Sequence, residues 1–459
     1  MILWRSIKQK EQNYLFVLLL GEEMKKKRIY CISIDAMISD DIPFMETLPN
    51  LGPIVKKAAK AKDVISVYPT LTYTCHASML TGVYPERHHI VNNEMFIPGL
   101  EHGPWYYDSK VFDPDVPNIV SEAKKHGYST LCVSWPVTGN IECDHLIPEV
   151  WSKEQSTDAM YNEFLKYGGD KELLDLIWPR YGNSLKGLAS PYFHLFMHGA
   201  ALEAIRKWSP EVVFHHLSMV DHMRHNDGVY GSRVYSQAYL VQDLMFGAIV
   251  DELKAQGVYD DTTFIITSDH GQTPVDHLVS PNILLVRDGL IRLNADGTIR
   301  DYDAFVHSAA HSAFVYLKDK SDKALENRVF DILKKYQSEE NVGFGEILTS
   351  DDVSTRYRNK GEFSFMIEGA PGYSFTSKTS GDLVSSKTDN SNYKYAQATH
   401  GHMPETGPKP AFLISGPGAK LGAEISGINI VDEAPTIARL LGFEMDGVDG
   451  RVVEELLDL

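Results

Sequence analysis

Cysteine is scarce in this chain, which has four cysteines among its 459 residues. They stand far apart in the sequence, at Cys31, Cys75, Cys132 and Cys143. Four cysteines at such spacings are too few for a disulfide framework, and they do not form the paired motifs of a zinc ribbon. We therefore expect these side chains to be buried free thiols.

Long hydrophobic runs are also missing. The apolar run near the N-terminus, Tyr14–Leu20, has seven residues, which is too short for a membrane span and short even for a signal-peptide core. Glu22 and Glu23 follow it without a small-residue cleavage site. We expect residues 1–23 to form a disordered extension ahead of a natural start at Met24. The expected compartment is the cytoplasm, with no membrane partner.

Positive charge is outweighed by negative charge. Lysine and arginine number 44 against 62 aspartates and glutamates, which gives a formal net charge of −18. Beyond Lys25–Arg28 we find no long basic run, so the overall field would repel polyanions such as DNA. A nucleic acid polymer is therefore not an expected partner. A small anionic substrate held by local metal ions agrees with this charge.

Short apolar runs that end in aspartate recur along the chain. They are rich in β-branched residues, which is typical of buried parallel strands. Three runs share this design: Arg28–Ile34 before Asp35, Glu211–Val220 before Asp221, and Thr262–Ser268 before Asp269. In open α/β sheets, ligands bind beyond the carboxyl ends of the strands. We therefore expect three carboxylates to converge on one site.

Helical patterns separate these strands, so the chain alternates in βαβ order. Val116–His126 and Arg233–Gln256 are the clearest predicted helices, and a glycine closes each. The length allows either one large domain with an insertion or two domains. We predict an α/β catalytic core over residues 24–280 and 400–459. Residues 281–399 are predicted to form an inserted α+β cap subdomain that ends in a mobile polar loop.

The stretch Tyr68–Met95 contains a hydroxyl residue at the start of a predicted helix. Pro69 and Thr70 favour an extended chain before Thr72, and the residues after it favour a helix. A hydroxyl at that point lies beside unpaired backbone N–H groups and the positive end of the helix dipole, which favour a phosphoryl group. Thr72 is therefore a candidate nucleophile. An ordinary helix cap is the alternative interpretation.

Oxygen and imidazole side chains, with no thiolate among them, form the candidate ligand set: Asp35, Thr72, Asp221, His225, Asp269, His270 and His400. Such ligands suit Zn²⁺ or a similar divalent ion such as Mn²⁺. Asp221 and His225 are four residues apart, so one helical turn would place both on the same face. Each piece alone has an ordinary explanation as a helix cap, a surface helix or a turn. Their order along the chain is what favours a metal site.

The order of these motifs resembles the alkaline phosphatase superfamily, and within it the nucleotide pyrophosphatase/phosphodiesterase branch. The motifs that carry the resemblance are Thr72 with Asn93, Asp221-x-x-x-His225, Ser268-Asp269-His270-Gly271, Thr399-His400-Gly401, Trp135-Pro136 and Val431–Thr436. They cover nearly the whole chain from residue 28 onward. The resemblance implies an alkaline-phosphatase-like three-layer α/β/α sandwich with a largely parallel central sheet and a small α+β insertion.

The resemblance also implies two zinc ions, each held by three side chains: Asp221, His225 and His400 for one, and Asp35, Asp269 and His270, with the Thr72 oxygen, for the other. Asn93 would donate its side-chain amide to a phosphoryl oxygen. Tyr73 matches an aromatic position that stacks on the leaving group's ring, with core packing as the alternative. Cys75 and His89 depart from the usual motifs without touching a proposed ligand, and they leave the substrate range open.

The predicted chemistry is phosphoryl transfer on a small phosphorylated substrate. A threonine hydroxyl is a weak nucleophile at neutral pH, and binding to a divalent ion would lower its pKa. Attack would give a phospho-Thr72 intermediate that water then hydrolyses. The motifs contain no cationic residue to pair with the extra charge of a monoester, which favours phosphodiester or pyrophosphate bonds of nucleotide-like substrates. The insertion could still supply such a cation.

Several other functions remain open at this point. A phosphonate hydrolase or a phosphomonoesterase could use the same site and would differ in the pocket lining. A sulfatase normally needs a cysteine or serine at the position of Thr72, which disfavours it. A non-catalytic phosphate-binding protein would be expected to lack some ligand, yet all seven are present.

Overall fold

The computed structural model describes residues 26–154, 156–188, 192–339, 342–389 and 391–459. The extension predicted for residues 1–23 lies outside the described residues. The strands in chain order are β1 Arg28–Ile34, β2 Ala59–Lys62, β3 Thr130–Val133, β4 His145–Ile147, β5 Val212–Leu217, β6 Thr262–Thr267, β7 Thr273–Val279, β8 Ile291–Leu293, β9 Ile299–Tyr302, β10 Ala304–Ala309, β11 Ser312–Leu317, β12 Phe344–Thr349, β13 Phe365–Gly369, β14 Gly372–Phe375, β15 Val384–Ser386, β16 Ala398–Thr399, β17 Phe412–Ser415 and β18 Glu424–Ser426.

Helices connect these strands. In chain order they are α1 Ile42–Met45, α2 Gly52–Lys57, α3 Thr72–Thr81, α4 Pro85–His88, α5 Ile119–Lys125, α6 Thr157–Lys166, α7 Lys171–Tyr181, α8 Tyr192–Trp208, α9 Met219–Asp227, α10 Leu240–Ala255, α11 Pro281–Arg287, α12 Lys323–Gln337, α13 Ser350–Tyr357 and α14 Glu433–Leu441. Short 3-10 turns join several of them, among them Tyr393–Tyr395.

A large sheet forms the centre of the described structure, with the strand order β18-β2-β17-β6-β1-β5-β3-β4. The strands from β6 to β4 in this order pair in parallel, whereas β17 is antiparallel to both of its neighbours. β1 lies in the middle because nearly its whole length is apolar and buried. The parallel pairing places the carboxyl ends of β6, β1 and β5 side by side at one edge of the sheet.

The two faces of the sheet support separate hydrophobic cores. Successive side chains of a strand point to opposite faces. Tyr30 and Ile32 therefore pack in a core with apolar side chains of α8 and α10, whereas Ile29 and Cys31 pack with those of α3, α5 and α14. Helices thus cover the sheet on both sides, which confirms the three-layer α/β/α sandwich.

A second, smaller α+β unit follows the sixth strand of the main sheet. β10, β11, β13 and β12 pair in this order as an antiparallel sheet. Leu284 of α11 and Val329 and Leu333 of α12 share a core with Phe305 and Val315 of that sheet. β7 pairs with β14, β15 and β16. The domain boundaries proposed at residues 280 and 399 stay a prediction.

Some element boundaries differ from the predicted ones. The predicted strand 211–220 ends at Leu217, and Asp221 lies in the first turn of α9 because the chain turns helical after Ser218. The predicted helix 116–126 begins at Ile119, since the Asn118 side chain accepts a hydrogen bond from Ser121 N–H and caps it. The predicted helix 233–256 is a π-helical segment, 234–239, that continues into α10.

The cysteines are free, as predicted, but they are not all buried. Cys31, Cys75 and Cys132 are buried, whereas Cys143 is only half-buried because it lies in the loop before the edge strand β4. In the described part of the chain, we find no helix whose length and hydropathy would let it span a bilayer.

Candidate active site at the carboxyl edge of the sheet

Thr72 is the first residue of α3, at the point where the chain changes from extended to helical. Leu71 before it has extended backbone angles and occupies the cap position without a capping side chain. The hydroxyl oxygen Oγ1 of Thr72 lies 3.2 Å from His270 Nε2, far from Thr72 in the sequence. Thr72 therefore does not act as the helix cap, and its hydroxyl faces the candidate ligands.

The structure brings all the predicted ligands together. Asp35 and Asp269 lie just beyond β1 and β6. Two overlapping groups could each hold a metal ion. One is Asp221 with His225 and His400, and the other is Asp35 with Asp221 and His270. Asp269 borders the second group, with its Oδ2 at 3.2 Å from His270 Nε2. Asp221 therefore lies between the two groups, instead of belonging only to the first.

The three candidate histidine ligands are oriented in the same way. His225 donates its Nδ1–H to the carbonyl oxygen of Ala398 at 2.8 Å, and His400 donates to that of Thr70 at 3.2 Å. His270 donates to the carbonyl oxygen of Gly271 at 3.2 Å. Such hydrogen bonds fix the tautomer and leave Nε2 free to bind a metal. Each Nε2 faces the carboxylates, as metal ligation requires.

The carboxylates are buried without enough partners. Asp35 Oδ1 and Asp269 Oδ2 accept no hydrogen bond from the described residues. Burial, together with Asp269 and Asp221, raises the pKa of Asp35 well above its ordinary value. Burial alone would also raise the pKa of Asp221, but His225 and His400 hold it below the ordinary value. Buried carboxylates without partners are costly unless a cation neutralises them, so this donor set fits divalent ions such as Zn²⁺ or Mn²⁺.

Asn93 is held in place beside the nucleophile. Its Oδ1 accepts a hydrogen bond from the Tyr73 backbone N–H at 2.9 Å, in the first turn of α3. An asparagine amide has two N–H donors besides this acceptor. The Nδ2 group therefore remains to donate to a ligand beside Thr72, and this role stays a prediction.

Two cavities meet at Asn93, Lys394 and His400, which line both of them. The first, of about 500 Å³, we call the aromatic chamber; Thr72, Glu149 and five rings line it, those of Tyr73, Trp105, Trp151, Phe193 and Tyr393. The second, of about 240 Å³, we call the polar chamber; its lining includes Asn92, Glu94, His102, His307, Ser377 and Lys378. The site therefore has room for substituents of different character on its two sides.

Tyr73 packs in the interior and also reaches the cavity, and its stacking on a substrate ring stays a prediction. Its ring is fully buried and packs edge-on against Trp105, with the ring centroids 5.1 Å apart. It also forms part of the aromatic chamber wall. Next to it, burial raises the pKa of Glu149 to about 8, and Glu149 Oε2 has no hydrogen-bond partner in the described structure.

Several other residues contact the candidate ligands or line the chambers and were not predicted. His216 Nε2 lies 3.3 Å from Asp35 Oδ2, and His76 Nδ1 lies 3.4 Å from Asp269 Oδ2. Gln272 donates a hydrogen bond from Nε2 to Asp221 Oδ1 at 2.5 Å. His76 and Gln272 stand within or next to recognised motifs, which was an available signal. No local pattern marks Glu149, Trp105 or Lys394 in the sequence.

Comparison with known proteins decides the family. The family model of type I phosphodiesterases/nucleotide pyrophosphatases matches residues 30–402. This range is most of the chain and includes every candidate ligand. The chain belongs to this family. Membership places it in the alkaline phosphatase superfamily, whose phosphodiesterase branch is metal-dependent, and confirms the resemblance noted from the motifs.

Individual relatives of the family are distant. Human ectonucleotide pyrophosphatase/phosphodiesterase family member 1 is 25% identical over 235 residues, which is 50% of this chain and 22% of that protein. A bis(5′-adenosyl)-triphosphatase of Pongo abelii is 24% identical over 428 residues, which is 91% of this chain and 78% of that protein. The chain spans less than half the length of the first curated relatives that it matches.

Solved structures confirm the fold of the family. Murine ectonucleotide pyrophosphatase/phosphodiesterase 5 superposes with a TM-score of 0.64 at 18% identity, covering 94% of this chain and 100% of that one. The human protein of the same name has the same TM-score and identity and covers 95% of this chain. The shared architecture is the alkaline-phosphatase-like sandwich described above.

Proposed function

We propose that this chain hydrolyses phosphodiester or pyrophosphate bonds of small, nucleotide-like substrates at a two-zinc site, through a phospho-Thr72 intermediate. The observation that carries the proposal is the position of Thr72 Oγ1, 3.2 Å from His270 Nε2 and on the wall of a cavity. It lies at the N-terminal end of α3, where the helix dipole favours the negative charge of a phosphoryl group.

The roles of the chain's own residues follow from this geometry. The Thr72 hydroxyl releases its proton to solvent as Oγ1 forms a bond to phosphorus. The bond to the leaving oxygen breaks with its electron pair going to that oxygen, which takes up a proton from solvent. Water then hydrolyses the phospho-threonine and restores the hydroxyl. Asn93 donates Nδ2–H to a phosphoryl oxygen, because its Oδ1 is already engaged by the Tyr73 N–H.

Two groups of residues would hold the metal ions, which would be Zn²⁺ or Mn²⁺. The first group is Asp221, His225 and His400, and the second is Asp35, Asp269 and His270. Bound ions of this kind act as Lewis acids that activate an attacking oxygen and stabilise a departing one. The protein's contribution is to hold the ligands rigidly, through the three histidine–carbonyl hydrogen bonds and the Gln272–Asp221 hydrogen bond.

Nucleotide-like substrates are supported by the aromatic chamber and by the relatives. Aromatic side chains on the walls of a 500 Å³ cavity suit a flat ring such as a nucleobase. One relative is named a bis(5′-adenosyl)-triphosphatase, and one solved neighbour is an inactive variant of the murine protein in complex with AMP. The cytoplasmic location stays a prediction.

The test is Thr72→Ala in zinc-loaded protein, assayed with bis-p-nitrophenyl phosphate. We expect turnover to fall by roughly a thousandfold or more, because the nucleophile is lost, while the bound zinc per chain stays unchanged. The matched control is Thr74→Ala, which makes the same change in the first turn of α3. The Thr74 hydroxyl is buried, has no hydrogen-bond partner in the described structure and lines neither chamber, so turnover should change little.

Full turnover in Thr72→Ala would contradict the nucleophile assignment. A clear preference of the wild-type protein for p-nitrophenyl phosphate over the diester would favour a phosphomonoesterase. Release of inorganic phosphate from a phosphonate, with no cleavage of either ester, would favour the phosphonate hydrolase.

A further inference from the structure

Lys394 is a lysine of the inserted segment that lies outside the recognised motifs. It lies in the 3-10 turn Tyr393–Tyr395, is half-buried and lines both chambers, as Asn93 and His400 do. Its Nζ lies 4.5 Å from the centre of the Trp105 ring, so the aromatic wall holds the side chain from one side. Lys394 is therefore a cationic side chain at the junction of the two chambers.

The Lys394 ammonium makes no direct contact with a described carboxylate, although Glu94, Asp221, Glu149 and Asp35 act on it electrostatically. Within the described residues, Nζ makes no hydrogen bond or ion pair; its only contact of this kind is with the Trp105 ring. Glu94, an acid of the polar chamber, accepts hydrogen bonds from the Gly103 N–H at 3.0 Å and from His102 at 3.3 Å. A half-buried ammonium without a carboxylate in direct contact is costly, which makes Lys394 a ready partner for an anionic ligand.

The polar chamber contains a second side chain without a partner. His307 is buried, and neither of its ring nitrogens has a hydrogen-bond partner in the described part of the structure. Neighbouring polar groups are engaged: Asn92 donates from Nδ2 to the Ser308 carbonyl at 3.0 Å, and Ser377 Oγ accepts from the Ser308 N–H at 2.9 Å. His307 and Lys394 therefore remain available to a polar ligand in this chamber.

We propose that Lys394 is a specificity-determining residue, which selects substrates whose second arm carries a negative charge next to the scissile bond. The arm is a phosphate, as in a phosphoric anhydride; it binds Lys394 Nζ and extends into the polar chamber toward His307. This inference rests on the proposed function. It concerns which substrate is preferred. The reaction itself is carried out by Thr72, Asn93 and the metal ligands, and Lys394 takes no part in breaking the bond.

The experiment compares two substrates that share one arm: the p-nitrophenyl ester of thymidine 5′-monophosphate, whose other arm is neutral, and thymidine 5′-triphosphate, whose other arm is charged. Lys394→Met keeps the unbranched stem against Trp105 and removes the charge. We expect kcat/KM for the triphosphate to fall roughly 10- to 100-fold, as expected for one charge-assisted hydrogen bond, and kcat/KM for the ester to change by less than about threefold.

Two further variants separate a direct contact from other effects. Lys394→Arg keeps the positive charge and should restore most of the triphosphate activity. Lys320→Gln removes the same charge from an exposed turn of the inserted segment and should leave both substrates unaffected.

Equal losses on both substrates in Lys394→Met would overturn the inference, because a displaced Tyr393–Tyr395 turn would disturb the whole site. Unchanged activity on both would overturn it as well. A greater loss on p-nitrophenyl phosphate than on the triphosphate would mean that Lys394 pairs with the attacked phosphoryl group, which also contradicts the assignment. Wild-type protein that cleaves neither thymidine substrate would contradict the proposed function instead.

Discussion

The ligand edge of the central sheet and the walls of the two chambers are built in different ways. At the edge, most candidate ligands follow a strand or lie in the first turn of a helix, and His225 lies in the last turn of α9. A hydrogen bond to a backbone carbonyl orients each of the three candidate histidines. The walls combine residues from distant segments, such as Trp105, Glu149 and Lys394, and Lys394 meets Trp105 through a cation–π contact. The difference suggests that the chemistry is fixed by the core, whereas substrate choice depends on more loosely held segments.

Removal of divalent ions should have the largest effect and should affect every substrate alike. Chelation leaves Asp35 and Asp269 without a counter-ion, and we expect turnover to fall by roughly a thousandfold or more. Activity and bound metal would be measured after dialysis against a chelator and again after Zn²⁺ or Mn²⁺ is added back. Full turnover in protein that lacks bound metal would contradict the assignment of the chemistry to the ligands at the edge of the sheet.

Loss of a buried ion pair on α9, the helix that carries Asp221 and His225, should give the next largest effect. Arg224 lies between Asp221 and His225 on α9 and forms a fully buried ion pair with Asp41, whose carboxylate also accepts from Tyr239 OH at 2.6 Å. Removing one partner of such a pair leaves the other uncompensated, so Arg224→Met should lower the free energy of unfolding by about 3–5 kcal/mol. Chemical denaturation measures this change.

The matched control for Arg224 lies on the protein surface. Arg233 pairs with Asp227 at 2.8 Å, and its side chain is 46% exposed. Arg233→Met should cost less than about 1 kcal/mol, because solvent screens exposed pairs. Similar losses of unfolding free energy in both variants would mean that the buried Arg224–Asp41 pair stabilises α9 no more than an exposed pair does.

The contact between the core and the insertion should give an effect on stability that depends on pH. Glu368 of β13 accepts hydrogen bonds from Tyr68 OH and the Met403 N–H of the core, and burial raises its pKa to about 8. Glu405 and Glu346 are the other charged groups that act on it, and both raise its pKa further.

The sign of the effect follows from this raised pKa. Between about pH 5 and 8 the folded protein keeps a proton on Glu368 that the unfolded chain releases, so stability falls as the pH rises. Glu368→Gln removes this contribution, and the slope of unfolding free energy against pH should become more positive by roughly 1.4 kcal/mol per pH unit. Denaturation curves at several pH values measure it; parallel slopes would contradict the assignment.

The same contrast explains what the sequence could reveal. Strand ends and helix starts leave local patterns, so the positions of Asp35, Thr72 and Asp269 and the βαβ alternation were predictable from the amino-acid sequence, whereas the three-layer sandwich came from the resemblance to the family. The strand before Asp221 was predicted too long, because apolar residues continue into the first turn of the helix. Trp105 and Lys394 could not be found, because only the packing of distant segments places them at the site.

β7 has a practical consequence for exchanging substrate pockets between relatives. The strand leaves the ligand edge directly after Gln272, and it pairs with β14, β15 and β16 of the following segment. A chimera that replaced residues 281–399 alone would separate β7 from all three of its native partner strands. The backbone hydrogen bonds of β7 would then depend on foreign strands. Grafts that carry β7 along with its three partners keep the ladder intact, and they are the ones we expect to fold.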